Sequence, residues 1–200
     1  MQNHLNGQQE HKLLEAVKDD PTAFQALYRH YFPRVYAYVA YRVSRVEDIE
    51  DIVADTFLKA VEGLNDFEWR GSGSFAAWLF RIARNLVTSF YRKNNKANSD
   101  ISLEALPELR TGGPSLDDRA AQKDLYLHLR QLIAELPPRQ QEVITLKFFG
   151  GLRNREIAQA LGIRQRTAAA YLSRGLAELY QKTLSQTKQQ DYEDSYEKKD

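Results

Sequence analysis

Apolar residues recur along most of the chain with the 3.6-residue period of an α-helix, and no stretch combines strand-like alternation with hairpin turns. This pattern predicts an all-α fold. Helices are predicted over residues 21–43, 45–63, 75–95, 116–136, 138–149, 154–161 and 165–183.

Local signals predict where these helices begin and end. Asp20 is the predicted N-cap of the first of these helices, and Pro21 is its predicted first residue. Pro33 lies within this helix and is expected to bend it. Gly63 and Gly162 are expected to end helices. Serines are predicted to cap three later helices: Ser44 in a capping box with Glu47, Ser74, and Ser115.

The stretch between residues 96 and 115 has few apolar residues and contains Gly112-Gly113-Pro114, which is typical of a linker. We therefore expect two small helical domains, at residues 1–96 and 119–183, joined by a flexible linker at 97–118. Residues 184–200 are acidic and poor in aliphatic side chains, so we expect a disordered tail there.

The composition excludes several classes of protein. The chain has no cysteine, which excludes disulfides and thiolate metal sites and fits a reducing cytoplasm. Its four histidines lack ligand spacing, and no nucleophile-elbow or Walker motif is present, so we expect no metal, no cofactor and no catalytic residues. The N-terminus is too polar for a signal peptide, and we expect no membrane insertion.

The formal net charge of +1 conceals charged blocks of opposite sign. Residues 47–68 carry eight acidic side chains and one basic, a net charge of −7. Residues 70–96 carry six basic side chains and no acidic one, and residues 137–182 have a net charge of +5. Such segregation indicates more than one polyelectrolyte partner.

The helix at residues 75–95 has one apolar face and one basic face. Arg81, Asn85, Thr88, Arg92 and Asn95 share the second face, with Arg84 beside them. Arginine neutralises phosphate and asparagine can pair with base edges, so this face suits DNA. A basic face that is simply solvated has the same pattern.

The helix at residues 45–63 carries an acidic stripe, which consists of Asp48, Asp51, Asp55 and Glu62. Like charges four residues apart destabilise a helix, so an external basic partner is a plausible reason for them. Compensation of the helix dipole is the alternative, but it explains Glu47 and Asp48 rather than Asp55 and Glu62.

Residues 153–174 predict a helix-turn-helix, in which Ile157, Ala158 and Leu161 form the apolar face of a short helix and Gly162 makes the turn. The second helix of such a motif enters the major groove of DNA. An αα-hairpin without function has the same apolar pattern, but the basic charge of this region favours DNA binding.

Four motifs in register make the chain resemble the sigma-70 family of bacterial transcription initiation factors, in its small extracytoplasmic-function (ECF) group. They are Glu50-Asp-Ile-Val-Ala-Asp-Thr-Phe57, Ser74-Phe-Ala-Ala-Trp-Leu-Phe-Arg-Ile-Ala-Arg-Asn85, Leu136-Pro-Pro-Arg-Gln-Gln-Glu-Val143 and Glu156-Ile-Ala-Gln-Ala-Leu-Gly162. The resemblance covers residues 20–96 and 120–182.

The resemblance implies a cytoplasmic bacterial protein that binds core RNA polymerase and directs promoter-specific initiation. The acidic stripe would dock on the clamp helices of the polymerase β′ subunit. Many relatives are held inactive by an anti-sigma factor, and the sequence leaves open whether this chain has one. The implied contacts to the promoter −10 element are Phe67, Trp69, Arg70, Arg81, Arg84, Asn85, Thr88 and Arg92. Those to the −35 element are Arg153, Arg164, Gln165, Arg166, Ala169, Ala170, Ser173 and Arg174.

Phe67 and Trp69 allow two interpretations. In the first, they stack on unpaired promoter bases, which contributes about 1–3 kcal/mol for each base. In the second, they are loop anchors that pack on the core.

The chain also departs from the family pattern. Ala54 and Ser89 stand where Gln and Asp are common. Arg153 and Arg164 replace the Ser or Thr that usually caps each helix of the helix-turn-helix, and each missing cap costs about 1 kcal/mol of stability. Ala169 and Ala170 cannot make bidentate hydrogen bonds to bases. We therefore expect −35 recognition to depend on Arg164, Gln165, Arg166 and Arg174 and on DNA shape.

Two other functions compete with this interpretation. A stand-alone helix-turn-helix regulator would bind DNA without polymerase and would not need the acidic stripe. An enzyme is disfavoured because the sequence has no nucleophile-elbow motif, no Walker motif and no ligand spacing among its histidines.

Overall fold

The computed structural model describes the backbone of residues 5–17, 20–93 and 116–197, and these ranges contain helices and no strand. The predicted all-α fold is confirmed. The described ranges hold eight α-helices: α1 (Gly7–Ala16), α2 (Phe24–Arg42), α3 (Val46–Glu62), α4 (Ser74–Lys93), α5 (Leu116–Ala134), α6 (Pro138–Phe148), α7 (Asn154–Leu161) and α8 (Gln165–Glu197). Short 3₁₀ turns lie at Pro21–Ala23 and Leu64–Asp66.

Several predicted helix starts were wrong by a few residues. Asp20 caps a 3₁₀ turn, where its carboxylate accepts the Thr22 N–H at 2.9 Å, and α2 begins only at Phe24. The N-cap position of α3 is held by Arg45, which makes no side-chain capping bond, rather than by the predicted Ser44. Ser74 is the first residue of α4, and its hydroxyl instead accepts the Arg70 N–H at 3.1 Å.

Two helices differ more from prediction. α8 continues to Glu197, so residues 184–197, expected to be disordered, are helical. No Pro or Gly interrupts the chain after Gly175, and Gln, Lys and Glu are good helix formers. α1 was not predicted at all. It begins with a capping box in which the side chains and backbones of Asn6 and Gln9 bond reciprocally.

The chain divides into two compact units. The first consists of Met1–Arg110 with Thr145–Gln165, and the second of Thr111–Ile144 with Arg166–Asp200. The boundary between them therefore falls within α6, and again at the start of α8.

In the first unit, α2, α3 and α4 pack against one another, α1 packs on α2, and α7 packs on α4. Their shared core is rich in large apolar side chains that are fully buried, among them Leu27, Tyr38, Ile49, Phe75, Leu79 and Phe80. The inward positions of α3 predicted from periodicity are confirmed, since Ile49, Ile52, Val53, Thr56 and Ala60 are all buried.

The second unit has its own apolar core from α5, the first part of α6 and α8. Leu132, Ile133, Leu136, Val143 and Leu179 are buried there. Gly175 allows α8 to pass close to α6, because a Cβ at this position would lie 2.6 Å from the Ile144 Cδ1.

Most of the predicted linker and the predicted cap Ser115 lie outside the described residues. The description begins again at Leu116, the first residue of α5. The domain limits at residues 96, 118 and 183 stay predictions.

Candidate nucleic-acid interface

The acidic stripe of α3 faces solvent. Asp51, Asp55 and Glu62 are exposed, and Asp48 is half-buried with its carboxylate 4.0 Å from the Arg45 Nε. Because the opposite face of α3 is buried in the core, the helix presents one apolar side inward and one acidic side outward.

Sequence reasoning missed two apolar residues on the exposed side of α3. Leu58 is 57% exposed and Val61 is 49% exposed. Leu58 lies seven residues after Asp51 and four before Glu62, so it shares their helix face. The helical period could have predicted their exposure, since neither residue belongs to the set of inward-facing positions of α3. The surface therefore offers a basic partner both charge and an apolar contact.

The basic face of α4 is also exposed, as its helical period predicted. Arg81, Asn85, Thr88 and Arg92 are exposed and Arg84 is half-buried, whereas Asn95 lies outside the described residues. The Thr88 hydroxyl donates to the Arg84 carbonyl at 2.8 Å, one turn earlier. Arg81 donates to the carbonyl of Gln159 on α7, so this guanidinium is engaged by the chain itself.

The 65–73 loop, which precedes α4, places its two aromatic residues differently. The half-buried ring of Phe67 packs on the rings of Phe75 at 5.6 Å and Trp78 at 4.9 Å between centroids. Trp69 is 37% exposed, and its ring lies 4.1 Å from that of His11 on α1. The geometry of Phe67 thus matches a loop anchor, and Trp69 has the open surface that a stacking base needs.

The loop closes on two glycines in the left-handed region. Gly71 has φ +106° and Gly73 has φ +81°, a conformation that L side chains rarely adopt. At Gly73 a Cβ would overlap the carboxylate of Glu156, so a side chain is excluded by space as well. Arg70, in the same loop, is exposed and pairs with Glu68 at 2.9 Å.

Two charged residues order the start of α7: Arg34, which reaches across from α2, and Glu156 of α7 itself. The Arg34 guanidinium donates to the carbonyls of Gly150 at 2.9 Å and Gly151 at 3.1 Å. Glu156 is buried, and its carboxylate accepts the Arg153 N–H at 2.8 Å. Burial raises the pKa of Glu156, against the lowering effect of that hydrogen bond and of the Arg34 charge.

The chain turns between α7 and α8 at Gly162, which has φ +66°. The Ile163 N–H donates to the Ala158 carbonyl at 2.9 Å, a bond that closes the end of α7. These bounds confirm the predicted helix, turn and helix start.

The predicted −35 residues lie before α7 and along the first turns of α8. Ala169 and Ala170 are half-buried, and the others are exposed: Arg153, Arg164, Gln165, Arg166, Ser173 and Arg174. Exposed arginine and glutamine at the start of a helix that follows a tight turn can contact both phosphates and base edges.

Within the described residues, no group of three His, Asp or Glu side chains could hold a metal ion. The same part of the chain contains no helix with both the length and the apolar character needed to cross a bilayer.

Two regions of the chain match known protein families. Residues 27–97 match sigma-70 region 2, and residues 126–179 match sigma-70 region 4.

Several curated proteins are similar over most of the chain. The RNA polymerase sigma factor YlaC of Bacillus subtilis is 32% identical over 143 residues, which cover 70% of this chain and 80% of YlaC. The ECF RNA polymerase sigma factor RpoE of Cereibacter sphaeroides is 30% identical over 159 residues, covering 76% and 82%. The ECF RNA polymerase sigma factor BldN of Streptomyces coelicolor is 33% identical over 147 residues, which span 74% of this chain and 55% of BldN.

Two solved structures share the fold. CnrH in complex with the cytosolic domain of CnrY has a TM-score of 0.63 at 22% identity, covering 86% of this chain and 95% of that one. The sigma factor RpoE in complex with the anti-sigma factor NepR from Bartonella quintana has a TM-score of 0.59 at 23% identity, covering 79% and 94%.

Proposed function

Since the chain belongs to the sigma-70 family of RNA polymerase sigma factors, in its ECF group, we propose that it binds core RNA polymerase and directs promoter-specific transcription initiation. The observation that carries this proposal is the exposed acidic side of α3 together with the exposed basic residues of α4 and of the start of α8. These helices lie in the ranges that match sigma-70 region 2 and region 4. One surface suits a basic protein partner and the others suit DNA.

The acidic side of α3 is the proposed docking surface for the clamp helices of the polymerase β′ subunit. Asp51, Asp55 and Glu62 supply charge that attracts a basic partner and orients it. Leu58 supplies apolar area in the middle of that charge. Asp48 lies half-buried at the start of the same stripe.

The 65–73 loop and the exposed side of α4 are proposed to bind and open the −10 element. Arg70, Arg84 and Arg92 would hold phosphates, and Asn85 and Thr88 would contact base edges. Trp69 would stack on a base that has turned out of the duplex, which offsets part of the cost of unpairing it. Arg81 would exchange its Gln159 partner for DNA. The protein contributes binding and strand separation and no covalent chemistry of its own.

The turn at Gly162 and the first turns of α8 are proposed to read the −35 element. Arg164, Gln165, Arg166 and Arg174 would make the polar contacts, and the small Ala169 and Ala170 would let the helix approach thymine methyl groups. Binding that is indifferent to the sequence of the −35 element would contradict specific readout here.

An anti-sigma factor is a further proposed partner. The CnrH and RpoE structures that share this fold are both complexes, the second with a protein described as an anti-sigma factor. We propose that the chain acts in the bacterial cytoplasm, where core polymerase and the chromosome are found.

The decisive experiment reverses the charge of the acidic stripe. Asp51→Lys with Asp55→Lys should abolish binding to core polymerase, because like charges would then face the basic partner. The matched control, Asp191→Lys with Asp194→Lys, makes the same change of charge at the far end of α8 and should bind core as the unchanged protein does. Core binding is measured by native gel or fluorescence anisotropy, and initiation by sequencing transcripts made in vitro.

A stand-alone DNA-binding regulator predicts a different result. It would bind its DNA site without polymerase, and the reversal on α3 would leave its function intact. Failure of the unchanged protein to bind core polymerase would overturn the proposed function.

A further inference from the structure

Helix α1 lies before the residues that match sigma-70 region 2, which begin at residue 27. Most of its side chains are polar. Even so, Glu10 is only 3% exposed, and its carboxylate accepts hydrogen bonds from two directions. One oxygen accepts the Tyr31 hydroxyl of α2, and the other accepts the N–H of Gly73 at 3.3 Å.

The first of these bonds connects α1 to α2, and the second connects α1 to the last residue of the 65–73 loop. A buried carboxylate is costly unless its oxygens are paired, and here one of the two partners is the loop backbone. The Gly73 N–H belongs to a residue held at φ +81°, so the bond also constrains the turn from which α4 begins.

A second contact joins α1 to the same loop. The rings of His11 and Trp69 lie 4.1 Å apart between centroids, with 31° between their planes, so their faces overlap in part. One helical turn earlier, Gly7 lies so close to the loop that a Cβ there would be 2.6 Å from the Ser72 Cβ. Glu10 and His11 follow Gly7 by three and four residues. All three therefore share one face of α1, and this face points at the loop.

This arrangement holds Trp69 before any base arrives. The ring rests against His11 yet keeps 37% of its residue surface exposed. An aromatic ring that is already ordered in its binding conformation pays less entropy when it binds, which is the general advantage of preorganisation. A freely rotating tryptophan would first have to be immobilised by the base.

We propose that α1 is a positioning element for promoter opening, in which Glu10 holds the end of the 65–73 loop and His11 holds the Trp69 ring. The proposal rests on the −10 role proposed above for that loop. Glu10 and His11 need not touch DNA, since they act through Gly73 and Trp69.

A double-mutant cycle on reconstituted holoenzyme tests this role. Trp69→Ala should lower open-complex formation about tenfold or more, because a stacked base is lost. His11→Ala should lower it about fivefold, and His11→Ala with Trp69→Ala should be no worse than Trp69→Ala alone, since both changes remove one interaction. Open complexes are measured with a fluorescent base analogue in the −10 element.

Glu10→Leu provides an independent variant of similar bulk. Leucine offers no acceptor to the Gly73 N–H or to the Tyr31 hydroxyl, so the loop end should loosen and opening should fall about fivefold. Lys12→Ala, at an exposed position of the same helix, is the control and should open the promoter normally.

Two further measurements separate positioning from folding and from the proposed function. The Glu10 and His11 variants should keep the core affinity of the unchanged protein, because the acidic side of α3 is untouched. Additive losses in the cycle, a loss of core binding, or opening at the unchanged rate would each overturn the positioning role. Failure of the unchanged holoenzyme to open any promoter would instead count against the proposed function.

Discussion

The side chain of Glu156 is buried, and its pKa responds to that burial and to the charges of Glu10, Arg34 and Arg153. Burial raises its pKa above the ordinary 4.5, Glu10 adds to the rise, and the two arginines and the Arg153 N–H lower it. A raised native pKa means that the protonated form favours the folded state. Its contribution to stability is present in full below pH 4.5 and is lost as the pH rises through the raised pKa.

Glu156→Gln removes this titration while it keeps an acceptor for the Arg153 N–H. The free energy of unfolding of the variant, relative to the unchanged protein, should therefore increase as the pH rises from about 5 to 8. Urea unfolding across that range measures the difference. A difference that is constant or that shrinks with pH would contradict the prediction.

At the scale of elements, α7 begins with half of a capping box. The Glu156 carboxylate accepts the Arg153 N–H, but Arg153 makes no side-chain capping bond in return. Serine at this position would supply the missing acceptor. The chain has an exposed arginine there instead, which suits contact with a phosphate better than it suits the helix end.

Arg153→Ser should therefore raise stability and weaken DNA binding together. We expect a gain of about 0.5–1 kcal/mol in the free energy of unfolding. Promoter affinity of the holoenzyme should fall in the same variant because a phosphate contact is lost. Arg155→Ser removes the same charge inside the first turn of α7 and should bring no gain in stability. A variant that binds promoter DNA as tightly as the unchanged protein would remove Arg153 from the DNA surface.

Features set by neighbours in sequence were predictable, and features set by distant contacts were not. The ends of α3 and α7 follow from Gly63 and Gly162, and the exposed sides of α3 and α4 follow from the helical period. The position of α1 depends on a bond between residues 21 apart in the chain, which no local pattern encodes. The loop has no period, so only the structure separates Phe67, which packs on Trp78, from the more exposed Trp69.

For the whole molecule, a formal net charge of +1 is the sum of surfaces that face different partners. The acidic side of α3 and the basic sides of α4 and α8 nearly cancel in that sum, but each acts locally, because salt screens charges beyond about 8–10 Å. Net charge therefore says little about whether this chain binds DNA, whereas the salt dependence of binding reports each surface separately.

Arg166→Ala tests this separation on preformed holoenzyme. Each phosphate contact to duplex DNA contributes about 0.9 to the slope of log affinity against log salt concentration, so the variant's slope should be shallower by about that amount. Arg29→Ala removes the same charge from an exposed position of α2, outside both proposed DNA surfaces, and should leave the slope unchanged. Equal changes in the two variants would mean that total charge, rather than the surface at the start of α8, governs binding.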